Sequence, residues 1–287
     1  MTKIALLICG TIRNYKQNYL TWKRYLLDLY DTSIFFHTYD VNGYHLKTNN
    51  ILSQLEIETL IKTIKPKKYL IESYDTKLND FKTLIQSQCL RNGSAKPESI
   101  KSQLYGIYMV NMLKKIHEKE NNFKYDIVIK IRFDTVFYNN FNIKDINLIT
   151  KYNNVILCGN PEIKTMLYKN ACVNCINNFN NNNFNKCNNH TDISDIVIIS
   201  TSKNMDYYAK IYFKYDILLK QYHDKVIEMY KHNLNKYISH VYDNGSIIYI
   251  QVPKISCVYP ELALSLHLKD YMLLNYTFNV DTNRNII

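Results

Sequence analysis

The sequence predicts an α/β protein with a mostly parallel central sheet flanked by helices. Two observations lead there. Over the first half of the chain, short apolar runs alternate with longer stretches of helical spacing. The first run, Lys3 to Ile8, is largely apolar and closes on Cys9-Gly10-Thr11. That is the pattern of a parallel strand buried on both faces and ending in a tight loop.

The elements follow in order. Tyr15 to Tyr30 reads as a helix from the spacing of Tyr19, Trp22, Leu26 and Leu29, and Ser33 to Thr38 as a second strand. A polar helix around Gln54 to Ile64 leads through Pro66 to a third strand, Lys68 to Glu72. This β-α-β-α-β order implies parallel pairing with helices on both faces. Asp75 to Lys96 is less regular, with a turn signal at Asn92-Gly93-Ser94. A long helix from Glu98 to Glu120 carries a stripe of Leu104, Ile107, Tyr108, Asn111, Met112 and Ile116, and Asn121-Asn122 stops it. Tyr125 to Ile131 is the most β-prone stretch.

Beyond it, Asn154 to Cys158 and Asp195 to Ser200 read as strands. Asn204 to about Tyr237 reads as helix, and Ser246 to Val252 as strand. Pro260 starts a short helix through Leu268, and Met272 to Phe278 reads as a last strand. Between them, CVNCINNFNNNNFNKCNNH (Cys172 to His190) is Asn-rich, buries little and is expected on the surface. No internal repeat is visible, so a single domain over 1–287 is expected.

Composition narrows the function classes. Hydrophobic residues make up 46% of the 287, which excludes global disorder. The net charge of +11 is spread over scattered Lys and Arg with no long basic block, so a nucleic-acid partner is not expected. Nucleotide-sugars, phosphorylated glycans and anionic lipids would exploit the same field. The 26 tyrosines accord with AT-rich coding rather than with ligand stacking. Seven cysteines with no secretion signal read as free thiols. The N-terminal apolar run is too short for a signal-peptide core, and no stretch reaches bilayer length. A cytoplasmic protein without a transmembrane segment is the expectation.

In open parallel sheets, ligands bind beyond the carboxyl ends of the strands. Two loops matter for that reason. In CGTIRNY (Cys9 to Tyr15), Gly10 allows close backbone approach. The Thr11 hydroxyl can hold a nucleotide, and Arg13 can fork onto a phosphate. The alternative is an ordinary strand-to-helix turn. In KIRFDTVF (Lys130 to Phe137), a buried strand delivers Asp134 to its rim, two residues after Arg132. A carboxylate there suits a hard divalent cation bound with phosphate oxygens, and Arg132 suits a leaving diphosphate. The alternative is an Arg132–Asp134 ion pair capping the strand.

The order of these motifs resembles a set of viral and bacterial glycosyltransferase-like proteins. The matching segments are CGTIRNY, a strand ending in His-Thr (FFHTYD, Phe35 to Asp40), SQLYGIYMVNMLKK (Ser102 to Lys115) and YDIVIKIRFDTVF. SDIVIISTSKNMDYYAKIY (Ser194 to Tyr212) and YPELALSLHL (Tyr259 to Leu268) complete the order over nearly the whole chain. The resemblance implies a GT-A-like (Rossmann-like) fold, with Arg-x-Asp in place of the Asp-x-Asp metal motif. It implies a nucleoside-diphosphate sugar donor (a UDP- or GDP-sugar) and a glycan, lipid-linked or protein acceptor. A divalent ion, Mn²⁺ or Mg²⁺, is also implied, for a metal-assisted hexosyltransferase-type reaction. Host cytoplasm would be the location if the source is viral.

By position, Gly10, Thr11, Arg13 and Arg132 would face the nucleotide-sugar, and Asp134 both metal and diphosphate. Residues from about 1 to 140 would form the nucleotide-sugar half. Those from about 141 to 287 would form the acceptor-side half, with the Asn/Cys-rich insert at 170–191. Arg132 departs from the strict metal motif and puts metal dependence in question. It also sustains an alternative, a non-catalytic nucleotide- or glycan-binding protein on a degenerate transferase fold.

An inverting reaction needs a carboxylate base, and Asp195 and Glu261 are the candidates. Either could instead be structural: Asp195 orienting a loop, Glu261 stabilising a helix N-terminus. Cys172, Cys175, Cys187 and His190 form C-x2-C then C-x2-H, a permissible set for structural Zn²⁺, although biased composition produces such spacing by chance. His37 could touch a sugar or, as is more common, donate to a backbone carbonyl, and the tyrosines at 207, 208, 212 and 215 are expected to pack or cap a groove rather than stack sugars.

Overall fold

The first strand, IALLIC, is buried along its whole length, as its unbroken apolar run requires. The structure is a computed structural model that describes residues 2–41, 51–83, 97–141, 149, 155–159, 196–221, 267, 272–276 and 280–282. Nine strands are described: β1 (Ile4–Cys9), β2 (Thr32–Tyr39), β3 (Lys68–Glu72), β4 (Ile127–Arg132), β5 (Thr135–Phe137), β6 (Val155–Gly159), β7 (Val197–Ser200), β8 (Met272–Tyr276) and β9 (Val280–Thr282). Seven of them form one sheet in the order β3-β2-β1-β4-β7-β6-β8, and β5 pairs with β9 apart from it.

Pairing of β1 with β2, β1 with β4, β2 with β3 and β6 with β8 is parallel. Only β7 runs against its neighbours β4 and β6. The sheet is therefore mostly parallel, as expected from the alternation of elements. Chain order steps outward from β1 to β2 to β3, then returns to β4 on the other side of β1. The gap between the carboxyl ends of β1 and β4 is thus the point where the winding reverses.

Helices cover both faces. On one side lie α1 (Tyr15–Trp22), which runs into a π-turn at Lys23–Leu27, and α2 (Gln54–Ile64). They pack over Ile4, Leu6, Ile8, Phe36, Ile129 and Ile131. The other side, Ala5, Leu7, Cys9, Phe35, Val128 and Ile198, is covered by longer helical segments. α3 (Tyr74–Lys77) is a single turn after β3, α4 (Pro97–Glu120) spans the sheet, and α5 (Ser202–Ala209) follows β7.

α2 matches its expected span because its ends are written locally. Ser53 and Glu56 form a reciprocal capping box, and Lys65 takes the left-handed conformation before Pro66. α1 is shorter than the Tyr15 to Tyr30 expectation. The π-turn rotates the chain, so Trp22 and Leu26 stay buried while Leu29 is exposed. The strand expected at Ser246 to Val252 lies outside the described residues, as do the expected helix past 221 and all of the Pro260 to Leu268 expectation except position 267.

The stripe expected on α4 is rotated. Leu104, Ile107 and Asn111 are buried, but Ile116 is exposed, and the buried row continues instead through Lys114 and Glu118. Two charged residues on the inner face hid the row from a reading based on apolar periodicity. Their burial is compensated by a network. Lys114 Nζ donates to Ser202 Oγ at 2.6 Å and to Asp206 Oδ1 at 3.0 Å. Glu118 Oε1 accepts from Ser202 Oγ at 2.6 Å and from the Tyr125 amide at 3.0 Å. Burial pulls the Lys114 ammonium pKa down, and Asp206 and Glu118 oppose that pull.

This network ties α4 to the start of α5 and to the entry of β4, at the end of the sheet opposite the carboxyl rim. Replacing Lys114→Met leaves a buried carboxylate short of a partner, so urea titration should show a loss of about 3 kcal/mol. Adding Glu118→Gln should recover part of that loss, because the buried carboxylate that then keeps only the Lys124 ammonium as cationic partner is neutral.

Candidate functional site

At the rim, the chain leaves β4 in a turn through Phe133 and Asp134 and enters β5 directly. The turn is closed by the Arg132 amide donating to Thr135 Oγ1 at 3.1 Å. It is fastened to α1 at successive levels. Asn18 Nδ2 donates to the Phe133 carbonyl at 2.8 Å, Trp22 Nε1 to the Thr135 carbonyl at 2.6 Å, and the Phe137 amide to Thr21 Oγ1 at 3.1 Å. Phe133 itself is buried in the α1-side core. Asp134 is therefore held by its neighbours, whatever its own contacts.

Those contacts are ionic. Arg132 grips the carboxylate in a fork, Nε to Oδ1 at 2.9 Å and Nη2 to Oδ2 at 2.6 Å. Arg13, from the loop after β1, donates Nη1 to the same Oδ2 at 2.9 Å. Exposure orders the three side chains: Asp134 keeps 2%, Arg132 17% and Arg13 23%. The carboxylate is the most buried of the three, and both arginine side chains are partly exposed. The Arg132–Asp134 pair weighed as a strand cap thus exists, with its carboxylate buried and its arginine part-exposed, and Arg13 joins it.

Arg13 reaches across because of the loop that carries it. Gly10 has φ of 111°, a conformation L side chains rarely adopt, and Asn14 is left-handed at φ 32° just before α1. Gly10 and Thr11 lie half-buried between the end of β1 and Arg13. Gly10, Thr11, Arg13, Arg132 and Asp134 are thereby brought to one place, where the winding reverses. Asp195 and Glu261, and the Cys172, Cys175, Cys187 and His190 set, lie outside the described residues.

The divalent ion expected at Asp134 does not fit this arrangement. Three N–H donors converge on its two oxygens, and a cation would have to displace a guanidinium while facing two positive charges. Two guanidinium groups thus meet one carboxylate.

One strand over, a second cluster was not anticipated. His37 Nε2 lies 2.8 Å from Glu72 Oε2, and Tyr105 donates its hydroxyl to Glu72 Oε1 at 3.1 Å. His37 therefore meets a carboxylate and not the backbone carbonyl expected. Burial lowers the His37 pKa from 6.5, so at neutral pH the imidazole is uncharged and donates from Nε2. The His37 and Tyr105 hydrogen bonds hold Glu72 down to about 2. No local signal marked Glu72: a carboxylate at a strand end acquires this role only when α4 brings Tyr105 to it. Of the tyrosines after β7, Tyr208 and Tyr215 are fully buried and Tyr212 packs on Tyr105 and Tyr108, a packing role.

No family model and no curated protein matches the chain. Among solved structures, it is similar to the WbbM bifunctional glycosyltransferase in its apo form, at 13% identity and a TM-score of 0.38. That similarity covers 76% of this chain and 37% of the other, so the chain spans little more than a third of the length of the structure it matches. Among the described residues, no helix is long and apolar enough to cross a membrane.

Two outcomes follow from the second cluster. Both groups titrate below their unfolded values, so each contributes stability that falls away in acid. The His37 part declines as pH drops below 6.5, and the Glu72 part below 4.5 towards 2. Urea titrations along a pH series should show this decline, and Glu72→Gln should flatten its lower portion. At Gly106 of α4, an added Cβ would lie 3.2 Å from His37 Nδ1 and 3.7 Å from Cys9 Cβ. Gly106→Ala should accordingly fail to deliver the stabilisation of about 1 kcal/mol that alanine brings to a helix interior, as read by thermal melting.

Proposed function

We propose that this chain is a glycosyltransferase, moving a sugar from a nucleoside-diphosphate donor to a glycan, lipid-linked or protein hydroxyl on a GT-A-like fold. The observation that carries the reading is the meeting of Arg13 and Arg132 on Asp134 where the sheet's winding reverses, between the carboxyl ends of β1 and β4. The motif order from CGTIRNY to YPELALSLHL, with its resemblance to glycosyltransferase-like proteins, supports it.

In this reading the donor's diphosphate sits against the two guanidinium groups, with the Gly10–Thr11 backbone beside the nucleotide. The acceptor oxygen attacks the anomeric carbon as its bond to the diphosphate oxygen breaks. Negative charge then grows on the leaving diphosphate, and positive donors fixed in advance stabilise it. Asp195 or Glu261 is the candidate to take the acceptor proton in an inverting reaction.

A second reading, a nucleotide- or glycan-binding protein without turnover, is favoured by one observation. Arg132 stands where a metal-binding carboxylate would stand in the Asp-x-Asp motif. A screen of UDP- and GDP-sugars by nucleotide release, with glycan acceptors added, separates the two. Turnover with one donor is expected, and Arg13→Ala should lower kcat/KM by about 10²–10³ with the fold retained. Donor binding with no release under any acceptor would instead support the second reading.

A further inference from the structure

We infer that the rim is an arginine clamp that takes a diphosphate directly, with Asp134 the counter-charge to the two guanidinium groups and not a ligand for a divalent ion. The inference rests on the donor-site reading above and concerns how that site holds its anion.

Three observations carry it. Both Asp134 oxygens accept guanidinium N–H at 2.6–2.9 Å, whereas Mg²⁺ demands carboxylate oxygens at about 2.0–2.1 Å in near-octahedral order. Asp134 is the most buried of the three, and the two arginine side chains keep the partial exposure that a ligand needs. The turn carrying Asp134 is fastened to α1 through Asn18 and Trp22, which keeps the carboxylate from swinging outward to a cation. Guanidinium pairs match phosphate oxygens in geometry, and a carboxylate shared between them offsets their mutual repulsion.

The test uses inorganic pyrophosphate, UDP and GDP as probes, titrated calorimetrically into the full chain in EDTA and again in excess Mg²⁺ or Mn²⁺. Expected is binding in EDTA at least as tight as with metal, weakened about tenfold or more by Arg13→Gln and by Arg132→Gln. Asp134→Asn separates the two roles by sign. Loss of a metal ligand would abolish binding, whereas loss of a counter-charge should leave pyrophosphate affinity unchanged or tighter. Binding that appears only with the divalent ion overturns the clamp and leaves the donor-site reading standing. Failure of every probe under both conditions overturns both. Should Asp134→Asn not fold, the comparison of EDTA with metal on the unmodified chain and on Arg13→Gln decides the question alone.

Discussion

The register of β1 on β4, with Cys9 opposite Arg132, determines how far the chain beyond each strand must travel for its side chains to meet. Four residues past Cys9 lies Arg13, and two past Arg132 lies Asp134. Shift the register by one residue and every side chain at the rim would point to the other face. Burial prevents the shift: β1 has no exposed residue, and β4 is buried up to Ile131. The ionic meeting at the rim is therefore a consequence of apolar packing within the sheet, and it needs no strong attraction of its own to form.

Charge is distributed unevenly over the two ends of that sheet. At the rim, two guanidinium groups meet a buried carboxylate. At the opposite end, Lys114 and Glu118 are both fully buried, and hydroxyl, amide and carboxylate partners satisfy them. The first arrangement leaves both arginine side chains partly exposed. The second is closed on itself and suits joining α4, α5 and β4. His37 with Glu72 stands between these cases, at the rim but turned inward beneath α4. Tyr105 of α4 and Lys77 of α3 both meet Glu72, so the cluster joins these helices to the end of β3.

Reading the rim as a donor site gives physical sense to Arg132. In a chain that held its diphosphate through a cation, an arginine at this position would oppose the ion. Paired with Arg13 and backed by Asp134, it supplies the same positive charge through N–H donors fixed by the turn. The Gly10 conformation then has a purpose as well, since it bends the loop so that Arg13 returns over the end of β4 instead of continuing outward.

Much of the architecture was legible from residue order alone. The apolar run of β1, the capping box of α2 and the β-prone stretch of β4 are local patterns, and local energetics suffice to form them. Gly10, Thr11, Arg13, Arg132 and Asp134 could be named as rim residues because strand ends are visible in sequence. Their mutual geometry was not visible, since Arg13 and Asp134 are 121 residues apart and meet only through strand pairing. The inner face of α4 was misjudged for a related reason: Lys114 and Glu118 look like surface residues until Ser202 and Asp206 arrive from 84 to 92 residues away. The sequence by itself determined the strands, the helices and which side chains stand at their ends. Only the tertiary structure decided that Asp134 serves two arginines, because a carboxylate's partners depend on which charges the fold brings within hydrogen-bonding distance.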